Sequence, residues 1–220
     1  MNGLRLPRLF RLLLIAGMLM LLAGAGMRVY AEVNMAQTEH RLIAARPVSP
    51  GNIETRTSSF VPADGPTTMI KLPALGLWNA LEPVDDQFEW VGGQMTSAWD
   101  VGDAGWHIQS SWPGWGGNVV IAGHSPSRDS QTWPRSIFRQ LAYLLPGDQI
   151  EMTAGSRTYL YQVSNVFVVS GTEAQSPAAV AWIAPFKAER LTLITCWPPH
   201  TAAYRVVVIA QPVSSSNKQS

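Results

Sequence analysis

Short β-rich runs follow one another between residues 66 and 213, and they leave little room for helices. Most of them are followed within two residues by Gly or Pro, as strands are at turns. About 150 residues is an ordinary size for one domain with its own core. The pattern therefore predicts a mainly β fold, a closed or nearly closed β-barrel. The predicted strands cover residues 69–72, 118–122, 149–153, 157–170, 191–195 and 204–210.

One short helix is expected between these strands. Residues 136–145 (SIFRQLAYLL) place four apolar side chains on one helical face. Ser136 is the candidate N-cap, and the Pro-Gly-Asp sequence at 146–148 ends the helix.

The amino-terminal region predicts a membrane segment. Arg5, Arg8 and Arg11 precede the run 12–27, which has no charge and no Pro. Extended to residues 9–31, the segment reaches 23 residues, and a spanning helix needs about 20. The basic flank favours a cytoplasmic amino terminus. Small residues at 23–25 and 29–31 also resemble signal-peptidase sites, but an uncleaved single-pass anchor is the preferred interpretation.

Four regions follow from these patterns. Residues 1–31 are the anchor, and residues 32–65 form an extracytoplasmic stalk rich in Pro, Gly, Ser and Thr whose start can be helical. Residues 66–213 form the β domain, and residues 214–220 are a polar tail. Net charge is only +1, and much of the positive charge flanks the anchor. Nucleic acid is therefore not an expected partner.

Cys196 is the only cysteine of the 220 residues. Because the anchor exports the domain, this thiol lies outside the cytoplasm, where a lone cysteine cannot form an internal disulfide. It is either a small core residue at the end of a strand or a nucleophile.

A nucleophilic thiol needs a base or cation nearby. His124 follows a predicted buried strand and Gly123, so its ring can project from a strand end. Arg205 begins the strand after Cys196 and can donate hydrogen bonds to a substrate carbonyl or an oxyanion. Taken singly, each residue is more often structural. His200, four residues after the thiol, is a rival base, and His124 is preferred.

Together these residues resemble the sortase family. Residues 192–196 (TLITC) match its TLxTC signature, Arg205 lies on the following strand, and Gly123-His124 ends an earlier one. Residues 70–76 (IKLPALG) are similar to the first family strand, and residues 138–148 to its helix and Gly-Asp turn. The resemblance covers residues 66–212.

The resemblance implies an eight-stranded sortase-type barrel with one or two short helices and an extracytoplasmic cysteine transpeptidase. Cys196 would attack the Thr–Gly bond of an LPxTG-like sorting signal, forming a thioacyl intermediate. His124 would exchange protons with the leaving and incoming amines, Arg205 would stabilise the oxyanion, and Thr195 would support the site. The implied partners are secreted proteins with a carboxy-terminal sorting signal, an amine on the cell envelope or a pilin, and the lipid bilayer.

Some features lie beyond this pattern. Thr195 and Trp197 are assigned to substrate binding, and Trp197 can wall the groove or merely pack. No acidic cluster suggests calcium, since Glu189 is isolated, so neither metal nor cofactor is expected. His107 has no metal-ligand spacing and is interpreted as structural. The segment 98–117 is rich in Trp and Gly; its indoles can line a substrate surface, but capping the barrel is the preferred interpretation.

Two other functions stay open from the residues alone. One is a thiol protease that uses water as the acceptor. The other is a membrane-tethered barrel that binds peptide or glycan, with Cys196 in its core. An L,D-transpeptidase would need a His-Gly-Cys motif, which the sequence lacks.

Overall fold

The computed structural model describes residues 8–45, 68–91, 94–99, 104–125, 137–155, 157–171, 182–199, 201 and 203–213. The chain divides into two compact units, Met1–Arg41 and Leu42–Ser220. The described part of the second unit holds ten strands. They are β1 (Thr68–Leu72), β2 (Leu77–Val84), β3 (Asp86–Val91), β4 (Gln94–Trp99), β5 (Ala104–His107), β6 (Asn118–Gly123), β7 (Gln149–Ala154), β8 (Arg157–Ser170), β9 (Arg190–Trp197) and β10 (Tyr204–Pro212).

Eight of these strands close into a barrel in the order β1-β2-β5-β6-β9-β10-β8-β7, and β7 pairs with β1 to complete it. Two of the pairs, β2–β5 and β6–β9, are parallel, and the others are antiparallel. Closure leaves the barrel sheet without an unpaired edge. The predicted eight-stranded barrel is confirmed.

Side chains alternate between the inside and the outside of the barrel along β9. Leu191, Leu193 and Trp197 belong to the large core cluster, which also takes residues from the other barrel strands. Ile194 and Cys196 between them therefore lie on the outer face. β6 is buried at all six positions, which explains its continuous apolar sequence: both of its faces are covered.

The predicted helix at residues 136–145 forms as a shorter 3₁₀ helix, Ile137–Tyr143. Its buried side chains face the core, whereas Leu145, expected on the apolar face, is exposed. The Leu145 amide donates to Asp148 at 2.7 Å, and Gly147 has a positive φ of 102° that suits glycine in the following turn. Ser136, the candidate N-cap, lies outside the described residues.

The segment 72–107 holds most of what the sequence did not predict. β2 follows a 3₁₀ turn, Pro73–Leu75, and β3 pairs with β4 as a separate two-stranded sheet. β5 is a barrel strand within the Trp- and Gly-rich segment, which was interpreted as a capping loop. Residues 104–107 of that segment are therefore part of the barrel wall.

The first unit is helical. Helix α1 (Arg8–Ala44) has 37 residues, and its part from Leu12 to Ala44 is long and apolar enough to cross a membrane, since an 18-residue window within it has a mean hydropathy of 2.0. The helix continues past residue 31 to Ala44, so the predicted helical start of the stalk is present. The rest of the predicted stalk, residues 46–65, lies outside the described residues, as does the polar tail.

Replacing Phe138 by Ala tests the packing of the 3₁₀ helix. Phe138 is 0% exposed in the core, so the variant is expected to lose about 3–5 kcal/mol of unfolding free energy. Urea unfolding followed by tryptophan fluorescence measures this loss. Gln140→Ala, on the exposed side of the same helix, is the control and should change the unfolding free energy by less than about 0.5 kcal/mol. Equal effects of the two variants would contradict the assignment of the helix to the core.

Candidate active site

Three neighbouring strands bring Cys196, His124 and Arg205 into one row. On β10, Arg205 is the register partner of Cys196. On β6, the parallel register runs to Ala122 opposite Ile194, and continuing it by two residues places His124 opposite Cys196. Adjacent strands lie about 4.8 Å apart, so the row spans roughly two such spacings. Residues far apart in the sequence are therefore neighbours across the sheet.

The row lies on the outer face of the barrel. Cys196 stands between Thr195 and Trp197, which are both buried, and its own side chain is half-buried. Register partners point to the same side of a sheet, so Arg205 shares this outer face with Cys196. Arg205 is half-buried and His124 is exposed. The thiol is thus on a surface that a substrate can approach, rather than in the core.

Thr195 fixes the relative position of β6 and β9 at the end that carries the row. Its hydroxyl donates to the Gly123 carbonyl at 2.8 Å, and Thr195 is buried. Gly123 directly precedes His124, and Thr195 directly precedes Cys196. This hydrogen bond therefore extends the β6–β9 contact one residue beyond the Ala122–Ile194 pair. The roles of Thr195 in supporting the site and in binding substrate stay predictions.

Trp197 does not wall the groove. It is 1% exposed, belongs to the barrel core and meets Tyr143 edge to face, with ring centroids 6.0 Å apart. Its assignment to substrate binding is therefore corrected: alternation along β9 sends Trp197 to the face opposite Cys196. His200, the rival base, lies outside the described residues.

An apolar patch that the sequence analysis missed adjoins the row. It consists of Phe167, Trp182, Val207 and Ile209 and is called the outer cluster. The Trp182 and Phe167 rings meet edge to face at 4.8 Å. The half-buried side chains of Val169 and Ile194 pack against it, so the patch reaches the strands that carry the row. The sequence of β10 carries a signal for this patch. β10 is apolar on both faces, so its outer face must be buried by other side chains.

The loop that supplies Trp182 is tied down by buried polar groups. The Asn118 amide nitrogen donates to the carbonyls of Trp182 and Ala184, and Arg190 donates to the same Trp182 carbonyl. The Arg190 guanidinium also lies over the Phe186 ring, 4.3 Å from its centroid. Burial lowers the pKa of Arg190 to about 10, so the side chain remains a cation at neutral pH.

A family model of the sortase domain matches residues 70–213. The chain belongs to the sortase family. Its matched region contains the whole eight-stranded barrel apart from the first two residues of β1, together with Cys196, His124 and Arg205. The resemblance noted in the sequence is thereby confirmed.

Solved sortase structures share the fold. A lid mutant of sortase A from Corynebacterium diphtheriae is 20% identical with a TM-score of 0.50, and the match covers 89% of this chain and 98% of that one. Sortase C-1 from Actinomyces oris is 19% identical with a TM-score of 0.50, and the match covers 86% and 98%. Likeness at this identity shows the fold alone. A comparison with curated proteins finds no match.

The Trp-rich segment of this sortase mostly supports the barrel. Trp106 and Trp112 are buried with ring centroids 4.2 Å apart, and the Trp106 indole donates to the Ser111 carbonyl. Trp115 is 56% exposed. Trp106 and Trp112 therefore contribute to the core, and Trp106 does so from the barrel strand β5 rather than from a capping loop.

Glu189 also holds the Trp-rich segment in place. Its carboxylate accepts hydrogen bonds from the amides of Gly114 and Gly116 and from the Tyr161 hydroxyl at 2.6 Å. Burial, followed by this contact with Glu189, raises the pKa of Tyr161 well above its usual range. Among the described residues, no group of three or more His, Cys, Asp or Glu side chains could hold a metal ion.

Replacing Thr195 by Val tests the hydrogen bond beside the row. Val has the shape of Thr but leaves the Gly123 carbonyl without this donor, so a loss of about 1–3 kcal/mol in unfolding free energy is expected. Thr195→Ser keeps a hydroxyl and should recover part of that loss. Urea unfolding measures both variants, and a Ser variant as unstable as the Val variant would show that packing, rather than the hydrogen bond, is what Thr195 provides.

Proposed function

We propose that this sortase is an extracytoplasmic cysteine transpeptidase that cleaves an LPxTG-like sorting signal and transfers the acyl group to an amine. The observation that carries the proposal is the row of His124, Cys196 and Arg205 on the outer face of the barrel. A half-buried thiol on that face is accessible to a peptide. The alternative of a binding barrel assumed that Cys196 lies in the core, and its position removes that support.

In the proposed reaction, the Cys196 thiolate attacks the carbonyl carbon of the Thr–Gly bond. The carbonyl electrons move to oxygen, and Arg205 donates hydrogen bonds to the oxyanion so formed. The C–N bond then breaks, His124 gives its proton to the leaving amine, and an acyl thioester remains on Cys196. An incoming amine attacks the thioester, His124 takes the proton from this amine, and the Cys196 thiolate is regenerated.

The surroundings of the row suit an extended peptide with an apolar segment before the scissile bond. Ile194 lies two residues from Cys196 on the same face, about 7 Å along the strand, and the outer cluster lies beside it. A residue three positions before the scissile carbonyl lies about 10 Å from it in an extended chain. The Leu and Pro of an LPxTG-like signal would therefore reach this apolar surface.

The location of the enzyme follows from its first helix. Helix α1 carries an apolar stretch that is not buried by any of the described residues, and Arg5, Arg8 and Arg11 lie at its amino-terminal end in the sequence. Such a flank favours a cytoplasmic amino terminus. The barrel would then face the outside of the cell membrane, where secreted proteins bearing a sorting signal meet amines of the envelope or of a pilin.

Incubating the full chain in detergent micelles with quenched LPxTG-like peptides and an amine acceptor tests the proposal. Mass spectrometry is expected to find the cleaved acyl fragment joined to the amine. Cys196→Ala removes the nucleophile and should lower turnover by at least about 10⁴-fold. Hydrolysis without any amine adduct would indicate a thiol protease. Turnover retained in Cys196→Ala would refute a thioacyl intermediate.

Replacing Arg205 by Lys tests the proposed oxyanion contact. Lys keeps the positive charge but loses the planar fork of donors, so kcat/KM for the best peptide should fall by about 10²-fold or more. The rate at which iodoacetamide alkylates Cys196 should change by less than about threefold, because this reaction forms no oxyanion. Equal losses in both rates would show that Arg205 acts on the thiol instead.

A further inference from the structure

The two strands that carry His124 and Cys196 at one end hold a buried polar cluster at the other. Asn118 begins β6 and Arg190 begins β9, and the two are register partners in the parallel pair. Six residues later along each strand stand His124 and Cys196, about 20 Å away. Asn118 is 2% exposed and Arg190 is 5% exposed. The row and the polar cluster thus share one rigid pair of strands.

This polar cluster contacts the loop at Trp182. The Trp182 carbonyl accepts two hydrogen bonds, from Asn118 at 2.9 Å and from Arg190 at 3.1 Å. A third hydrogen bond, 3.1 Å long, joins Asn118 to the Ala184 carbonyl. The backbone on both sides of Ile183 is therefore held to the barrel by side chains of β6 and β9.

Thr192 sets the orientation of the Asn118 amide. The Thr192 hydroxyl donates to the Asn118 Oδ1 atom at 2.7 Å, and both residues are buried. Because the oxygen is occupied in this way, the Nδ2 group faces the loop carbonyls as a donor. Buried polar groups cost free energy unless they are hydrogen-bonded. Apolar contacts alone would hold the loop without this free-energy cost, but they would not fix the direction of the loop carbonyls as these hydrogen bonds do.

The side chain of the tethered residue lies beside the row. Trp182 meets the Phe167 ring edge to face, Phe167 is the register partner of Val207, and all three belong with Ile209 to the outer cluster. On β10, Val207 and Ile209 follow Arg205 by two and four residues and lie on the same face as Arg205. They are about 7 and 13 Å from Arg205 along the strand. The indole therefore borders the path of an extended peptide whose carbonyl lies at Cys196.

We propose that Asn118 and Arg190 are positioning residues for substrate binding, which hold Trp182 against the barrel so that its indole forms one wall of the peptide groove. This inference rests on the proposed transpeptidase function and assigns Asn118 and Arg190 no part in the chemical step. A loosened wall weakens binding of the apolar part of the peptide. It leaves the thiol, the imidazole and the guanidinium where they are.

The test uses Asn118→Asp in the full chain in detergent micelles. Asp has the shape of Asn and still accepts from Thr192, but it loses both donors to the loop. For the peptide that the wild type turns over fastest, KM is expected to rise about tenfold or more, while kcat stays within about twofold. The rate of Cys196 alkylation by iodoacetamide should also stay within about twofold, since this reagent does not need the groove.

Glu189→Gln is the matched control. It is an isosteric exchange at the other end of the same loop, and its partners Gly114, Gly116 and Tyr161 do not belong to the outer cluster. It should lower the melting temperature without raising KM. Should Asn118→Asp fail to fold, Arg190→Lys, which keeps the charge and shortens the reach to the Trp182 carbonyl, is expected to raise KM in the same way.

A second measurement follows Trp182 directly and needs no substrate. In protein labelled with fluorotryptophan, the Trp182 fluorine resonance is assigned by its loss in Trp182→Phe. It should shift or broaden in Asn118→Asp and stay in place in Glu189→Gln. An unmoved resonance, or a fall in kcat at unchanged KM, would overturn the inference. Failure of the proposed function would give a different result from failure of this inference. The wild type itself would turn over no peptide, whether or not the Trp182 resonance moves in Asn118→Asp.

Discussion

The parallel register of β6 and β9 is the constraint on which the rest of the site depends. Because the two strands run in the same direction, their carboxyl ends meet at one edge, and His124 and Cys196 arrive there together. A slip by one residue would send every side chain of a strand to the opposite face. The hydrogen bond from Thr195 to the Gly123 carbonyl lies next to both residues and opposes such a slip.

Burial on both faces is what makes this register unambiguous. The inner faces of β6, β9 and β10 pack in the barrel core, and the outer faces of β9 and β10 are covered in part by Trp182. A shift by one residue would exchange side chains of different size between the two packed faces and would break the buried hydrogen bonds of Asn118, Thr192 and Thr195. The loop over the outer face therefore contributes to the fold, and in the proposed function it also borders the peptide groove.

The sequence predicted the parts of the molecule that have strong local signals. The runs at 118–122 and 204–210 are mostly apolar after their first one or two residues, and they form β6 and β10; the TLITC sequence places Cys196 near the end of β9. β5 escaped prediction because four residues among Trp and Gly show no period. The assignment of Trp197 to substrate binding was wrong, although its orientation was predictable. Neighbouring side chains of a strand point to opposite faces, so Trp197 must point inward if Cys196 points outward. The sequence around Trp182 does not predict its place in the outer cluster. That place depends on side chains of β6 and β9, distant in sequence, which donate hydrogen bonds to the Trp182 carbonyl.

The two ends of the β6–β9 pair meet opposite physical demands. At the carboxyl ends, His124 is exposed and Cys196 is half-buried, which is what the proposed function requires if a peptide and then an amine are to reach them. At the amino ends, Asn118, Thr192 and Arg190 are buried, and their hydrogen bonds are strong because water does not compete for them. An open end has few contacts to define its geometry. The paired strands connect this end to the dry end, since their ladder runs from Asn118–Arg190 to Ala122–Ile194, about 13 Å, and resists bending more than a loop does.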